Sequence, residues 1–294
     1  MKRPMRRTMS EALGDVLIFS MVTLAGVVTF YPFFYVLIGS VSPITDLLQG
    51  RFLLYPSKLS FSAYAAVLRN DLLPTAYRNT IFITVVGTAL SMAVSLMGAY
   101  VISRRYLPGR VIMTLYLVFT MLFYGGLIPT FLTVKAVGLL DTIWALILPS
   151  CVSVYNTIVL RNFFASIPDS LEESAVLDGA RPFVVFTRIT LPLSKAAIAT
   201  ISLFYAVSYW NAFFHAVIFI NRRDLWPLQL LLRETLISGR MSELFPYVDA
   251  DNLNPPTQVM ELALIVVTIV PILFIYPFLQ RYFAKGVLMG SLRE

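Results

Sequence analysis

Cysteine is almost missing from this sequence. Cys151 is the single one in 294 residues, so neither a disulfide nor a multi-cysteine metal site can form within the chain. Histidine is equally scarce: His215 stands alone, which excludes His-rich metal chemistry. Charge is thin as well, at 13% of residues, against about a quarter in ordinary soluble domains. No Asp, Glu, Lys or Arg lies near the middle of any long apolar run. Glu261 and Arg78 sit at the ends of such runs, where a long side chain can reach water. Ion-coupled carriers place costly charges inside the bilayer, so their absence argues against a secondary transporter. There is no G-x-x-x-x-G-K-[ST] phosphate loop, so any ATP must be bound by another chain. No Ser/His/Asp or paired-carboxylate arrangement suggests hydrolysis within the bilayer. The chain is therefore not read as an enzyme, and no metal or cofactor is expected in it.

What the sequence does hold is apolar surface. Hydrophobic residues make up 58% of the chain and the mean hydropathy is +0.77. That exceeds what one water-soluble core could hide, so the solvent must be partly lipid. Six runs are long enough to span, at about 20 residues each. They are Val16–Gly39, Asn79–Ile102, Val111–Val134, Thr142–Leu160, Ala196–Ile220 and Val259–Leu279. The basic start (Lys2, Arg3, Arg6, Arg7) also suits a signal peptide. However, the uncharged stretch Val16–Ser42 is far longer than a signal core, so it is read as a retained first span. Six spans put both termini on one side, and the positive-inside rule selects the cytoplasm. With that orientation, 14 of the 23 Lys and Arg lie inside, and the acidic residues divide as 7 inside and 9 outside. The whole +7 excess then falls on the cytoplasmic face.

The expected architecture is an all-α integral membrane bundle of six helices, one transmembrane domain over residues 1–294 with both termini cytoplasmic. Its outer loops, 40–78 and 221–258, are long and proline-bearing. The stretch Leu225–Ser238 in the second has helical apolar spacing at Leu228, Leu231, Leu232 and Leu236. Pro32, Pro129, Pro149, Pro271 and Pro277 fall inside spans, and Gly125–Gly126 precedes Pro129. These are read first as bundle-shaping kinks, with lining of a substrate path as the alternative.

The segment Arg161–Lys195 is too polar to span and too patterned for a linker. Ser170-x-x-Glu173 reads as a capping box opening a short helix. Gly179 closes that helix, because glycine takes the left-handed terminal conformation. Pro182 suits the first turn of a second helix, which ends at Leu191–Pro192. The expectation is helix, turn, helix beneath the membrane. Capping chemistry alone would account for Glu173, Gly179 could be an ordinary terminator, and Asp178 could simply solvate the turn.

The loop resembles the EAA loop of ATP-binding-cassette (ABC) importer permeases, whose pattern is roughly E-A-A-x-x-D-G-A followed by I-x-L-P. Glu173, Ala175, Asp178, Gly179, Ala180, Ile189, Leu191 and Pro192 match, Ser174 replaces the first alanine, and Ala196 stands where many relatives have proline. FYGGLIPTFL, GLLDTIWALILP, NFF, YWNAFF and YFAKGVLMGS are similar to the maltose-type carbohydrate permease family. The GGLIPTFL motif is similar to its subgroup for complex oligosaccharides, some containing uronic acids such as alginate. The resemblance implies the type I importer permease fold. It also implies a coupling helix docked in a cleft of an ATPase subunit, with Glu172, Glu173, Ser174, Ala175, Asp178, Gly179, Ala180, Leu191 and Pro192 at that contact.

It further implies partners. These are a second, different permease, a dimer of ATPase subunits that binds the ATP and Mg, and an extracytoplasmic sugar-binding protein reached by the loop Asn221–Gln258. Nucleic acid is not among them. Sugars are held by aromatic faces and amides, so Tyr209, Trp210, Asn211, Phe213 and Phe214 in the fifth span are candidates for a substrate path. Bundle packing is the competing reading, and His215 is read as an interhelical hydrogen-bonding group. Arg222 and Arg223 would suit an acidic substrate. Two rival functions stand beside oligosaccharide import: an ABC permease for another solute, and a membrane scaffold or sensor without transport.

Overall fold

The computed structural model describes residues 9–48, 55–237 and 258–274, and every regular element among them is helical. The chain forms two compact units, one from residues 1–69 and 240–267, the other from 70–239 and 268–294.

In the first unit, α1 (Met9–Ser40) contains the expected span Val16–Gly39. From Leu13 to Phe30 its side chains stand exposed; apolar all round there, it is suited to hydrocarbon rather than water. Ser40 donates to the Leu37 carbonyl at 2.8 Å and shares a 2.7 Å hydrogen bond with the Tyr64 hydroxyl, tying the end of α1 to the short helix Ser62–Leu68. Asp46 accepts from the backbone and side chain of Ser57 at 2.8 and 2.9 Å, closing the loop between.

The second unit is organised on α2 (Leu72–Ser103), which contains the expected span Asn79–Ile102. One face carries small residues at every fourth position: Gly87, Ser91, Ser95 and Ala99, all buried. Lipid gives helices no hydrophobic reason to associate, so close approach across small residues and interhelical hydrogen bonds must hold them. Both occur here. The helix α2 packs against α5 (Val154–Phe164) and α7 (Lys195–Trp210), with α3 (Arg110–Leu122), α4 (Leu127–Ala136) and α6 (Asp169–Leu177) lying between α2 and α5 or α5 and α7 in the chain. A Cβ on Gly87 would lie 2.8 Å from the Tyr209 ring, so the glycine is what admits that ring. Ser91 pairs with the Tyr209 hydroxyl at 2.9 Å, and Tyr209 donates onward to the Ile147 carbonyl at 3.1 Å. Ser95 pairs with the Tyr205 hydroxyl at 2.7 Å, which also accepts from the Ser153 backbone at 3.0 Å.

The other expected spans are broken. Val111–Val134 is not one helix: α3 and α4 meet at 110°. The break falls at Gly126, whose φ of +92° with ψ of 173° is open essentially to glycine alone. The first helix ends before the glycine pair, at the Phe123 cap, and Gly126 starts another rather than kinking a continuous span. Thr142–Leu160 bends by 49° between Trp144–Ser150 and α5, after a 3₁₀ turn containing Pro149. The fifth span is interrupted at Asn211–Phe213, between α7 and the short helix Phe214–Phe219. The helix Gln258–Phe274 covers the start of the sixth expected span, whose remainder lies outside the described residues.

The loop 221–258, expected on the outer side, is described as far as Ile237 and again at Gln258. Its helical stretch forms α8 (Leu228–Leu236), with Leu228, Leu231 and Thr235 buried. It lies on α2: Thr80 accepts from the Leu228 backbone at 2.7 Å, and the Asn79 amide donates to the carbonyls of Asp224 and Trp226 at 2.9 and 3.2 Å. The loop is pinned at its start by Asp141, which takes a positive φ of 56°. Its carboxylate accepts from the Asn221 backbone (2.5 Å) and side chain (3.2 Å) and from the Arg222 backbone (3.2 Å). These donors hold the Asp141 carboxyl below its ordinary value, the Asn221 backbone N–H contributing most.

Candidate functional site

The loop 161–195 folds as helix, turn, helix. α6 begins at Asp169, with Pro168 as N-cap and no side-chain cap. The capping box expected from Ser170 and Glu173 is therefore absent. Pro168 sets the extended entry and the helix starts two residues early, so Ser170 lies inside the first turn and its carbonyl accepts from Ser174 Oγ at 2.8 Å. Asp169 and Glu172 in that first turn suit the positive end of the helix dipole.

The other end matches the expectation. Gly179 has φ +81°. Its N–H reaches the Val176 carbonyl and the Ala180 N–H reaches the Ala175 carbonyl, each at 2.9 Å, which is a complete Schellman closure. Pro182 then opens a second helical run. A π-helical turn follows over Phe186–Thr190, and the run ends at Leu193, one residue past Pro192. The axis turns by 83° into α7.

The two glutamates of α6 have separate fates. Glu173 is exposed, as are Ser174 and Asp178, while Ala175 and Ala180 are half-buried. Glu172 points inward. Its side chain is 14% exposed and forms an ion pair with Arg104, itself 8% exposed. Arg104 caps the end of α2, donates to Thr190 Oγ1 at 3.3 Å and lies 4.2 Å over the Tyr100 ring. The Tyr100 hydroxyl donates to the Pro182 carbonyl at 3.3 Å, and its ring packs 4.8 Å from Phe186. Burial pushes the Glu172 carboxyl above its ordinary value, against the pull of the Arg104 guanidinium. These groups border a cavity of about 800 Å³ between the end of α2 and α6. Leu177, at the border of this cavity, and Phe183 are 87% and 72% exposed. Leu191 is half-buried and Pro192 exposed.

The aromatic candidates divide. Tyr209 and Trp210 are buried, and the Tyr209 hydroxyl is already committed to Ser91 and Ile147. Asn211 caps α7, its amide donating to the Val207 carbonyl at 2.9 Å. Asn211, Phe213 and Phe214 line a recess of about 180 Å³ together with Ser150, Tyr209 and His215. His215 stacks on Phe219 at 5.6 Å, with Nδ1 3.5 Å from Ser150 Oγ. The residues that sequence reasoning passed over are Arg104, Tyr100 and Thr190. Glycine and serine at every fourth position of α2 was a legible signal for its packing face. Arg104 gave none, because a basic residue at a span end is ordinary.

Residues 91–289, more than half the chain and the whole loop 161–195 within it, match the family described as binding-protein-dependent transport system inner membrane component. The chain belongs to that family. It is a multi-pass inner-membrane permease subunit of an ABC importer. The permease is 44% identical over 290 residues to the polygalacturonan/rhamnogalacturonan transport system permease protein YtcP of Bacillus subtilis (strain 168), covering 97% of this chain and 100% of that one. It is 44% identical over 271 residues to protein LplC of the same organism, covering 91% and 90%. Its fold matches a chain in the crystal structure of a bacterial ABC transporter involved in the import of the acidic polysaccharide alginate. That match has a TM-score of 0.90 at 33% identity and covers 95% of this permease and 99% of the other chain.

Proposed function

We propose that this permease is a six-span subunit of the type I importer class, with both termini cytoplasmic, that moves a uronate-containing oligosaccharide inward by alternating access. It works beside a second, different permease, two ATPase subunits that bind the ATP and Mg, and an outer sugar-binding protein. The observation that carries the coupling role is α6. It is a short helix closed by a left-handed glycine, with Leu177 and Phe183 exposed where an apolar cleft of an ATPase would receive them. Glu173, Ser174, Asp178, Gly179 and Ala180 border that face, with Leu191 and Pro192 at the return to the next span. The relatives named for polygalacturonan and alginate support an anionic sugar polymer as cargo. Asn211, Phe213 and Phe214, which line a recess in the fifth span, serve in this reading as part of its path. The loop Asn221–Gln258 engages the binding protein.

The test is purification of the permease with the other products of its transport locus, followed by thermal shift of the binding protein with oligogalacturonate, oligoalginate or neutral oligosaccharides. Copurification of an ATPase, and stabilisation by a uronate oligomer, are the expected results. Stabilisation by a non-sugar solute alone would make it a permease for another cargo, and no copurifying ATPase would remove the transport reading.

A further inference from the structure

Arg104 touches three segments at once. It ends α2, pairs with Glu172 on α6, and donates to Thr190 at the close of the π-helical turn. Stability does not explain a charged pair in this place. Removing two charges from water costs about as much as their attraction returns, and a well-packed apolar pair would serve as well or better. What the pair supplies is geometry. The guanidinium is a planar fork whose donors point in set directions, so it can hold a carboxylate and a hydroxyl at a fixed mutual angle. Its flat face meanwhile lies on the Tyr100 ring. Among the described residues, the other polar links here are the exposed Arg105–Asp169 pair at 3.9 Å and, beyond the end of α6, Tyr100–Pro182. The cavity of about 800 Å³ separates α6 from α2. A helix set beside such a void would tilt into it when pushed, unless something braced it. Single π turns recur at functional positions in helices, and this one ends on the Arg104 contact.

We infer that Arg104 is the positioning residue that locks α6 to α2, so that a displacement of α6 turns α2 and the helices packed on it as one body. This rests on the coupling role proposed above for α6. The test uses the complete reconstituted complex, with Cys151→Ser in the permease and spin labels on cysteines replacing Met97 of α2 and Leu171 of α6, which are 54% and 45% exposed. With arginine present, the distance between labels is expected to be narrow and equal in nucleotide-free and ATP-trapped complexes.

In Arg104→Met the ATPase should still copurify, but the distance should broaden. Binding-protein-stimulated hydrolysis should fall on the order of tenfold, the scale of mutations along a coupling route. Arg104→Lys, a point charge without the fork, should fall between. The exchanged pair Arg104→Glu with Glu172→Arg should recover part of the loss. Unchanged distance and hydrolysis in Arg104→Met would overturn the inference and leave the coupling role of α6 standing. So would a distance that differs between the two states with arginine in place. Loss of assembly in Arg104→Met that the exchanged pair does not restore would reduce Arg104 to a folding requirement. If the ATPase fails to copurify with the unaltered permease, the coupling role falls first and the inference with it.

Discussion

Helix α2 carries two kinds of polar joint, and they differ in a useful way. In its middle, Ser91 and Ser95 meet the hydroxyls of Tyr209 and Tyr205 on α7. These groups are neutral, buried and satisfied on both sides. At its end, Arg104 meets Glu172 of α6, a charged joint bordering a cavity. Neutral hydroxyl pairs between small-residue faces cost little to bury and allow close approach, so they suit a body that keeps its shape. A charged pair depends on direction and on the dielectric around it, so it suits a contact that must hold one geometry under load. The middle of α2 builds the bundle, and its end connects the bundle to the loop.

Four changes probe that contrast, beginning with the largest. Gly87→Val should strike the neutral joint hardest. Its Cβ would enter the Tyr209 ring, which is buried and held by two hydrogen bonds. Overpacking of this kind costs about 1–3 kcal/mol or more. Membrane levels should fall and the detergent-solubilised protein should melt lower; a wild-type melting temperature would mean α2 and α7 can separate freely.

Gly179→Val should spare the bundle and strike the loop. Left-handed backbone costs a β-branched residue about 1–2 kcal/mol locally, too little to unfold the fold but enough to shift α6. Normal membrane abundance with weakened ATPase association and lost sugar-stimulated hydrolysis is expected. Full transport would show that the loop is an ordinary connector.

Tyr205→Phe removes two neutral hydrogen bonds, with Ser95 and with the Ser153 N–H, without changing shape. Interhelical hydrogen bonds in membranes average about 0.6 kcal/mol, reaching about 1.7. A small drop in melting temperature with transport retained is expected. Uncoupling with unchanged stability would assign the middle joint a moving role.

The mildest change is Asp141→Asn, which keeps an acceptor and tolerates the positive φ. Its readout is tryptic cleavage at Arg222 and Arg223, expected to quicken modestly. The pH dependence has a definite sign. The carboxyl is held below its ordinary value in the folded state. Its contribution is therefore complete above the ordinary carboxylate range and lost only as pH falls through the lowered value. Cleavage of the unaltered permease should stay slow from neutral into mildly acidic buffer. Quickening near neutral pH would mean that Asp141 is not the anchor.

Motif reading did well wherever a residue's role is local. Gly179 closes α6 because only residues tolerant of positive φ fit there, and Pro182 opens the next helix because its missing N–H is not needed at that position. It failed at the other end of the same helix: Ser170 and Glu173 have capping spacing, yet Pro168 sets a start two residues earlier and leaves them inside the helix. Hydropathy located the apolar runs but not their shape, because a window of composition is blind to a 110° turn at Gly126. Among the path candidates, residue type alone could not separate Tyr209 and Trp210, which are buried, from Phe213 and Phe214, which are half-exposed.

The sequence by itself determined that this protein lives in lipid, where its apolar runs lie, and that Gly179 and Pro182 mark a turn between two short helices. Each of these follows from composition or from neighbours within a few residues. Only the tertiary structure decided that Glu172 rather than Glu173 turns inward, that Arg104 is its partner, and that Leu228–Leu236 lies on α2. The two ends of the Arg104–Glu172 pair are separated by α3, α4 and α5 in the chain. Their meeting depends on how those helices bend and pack, which no local pattern records.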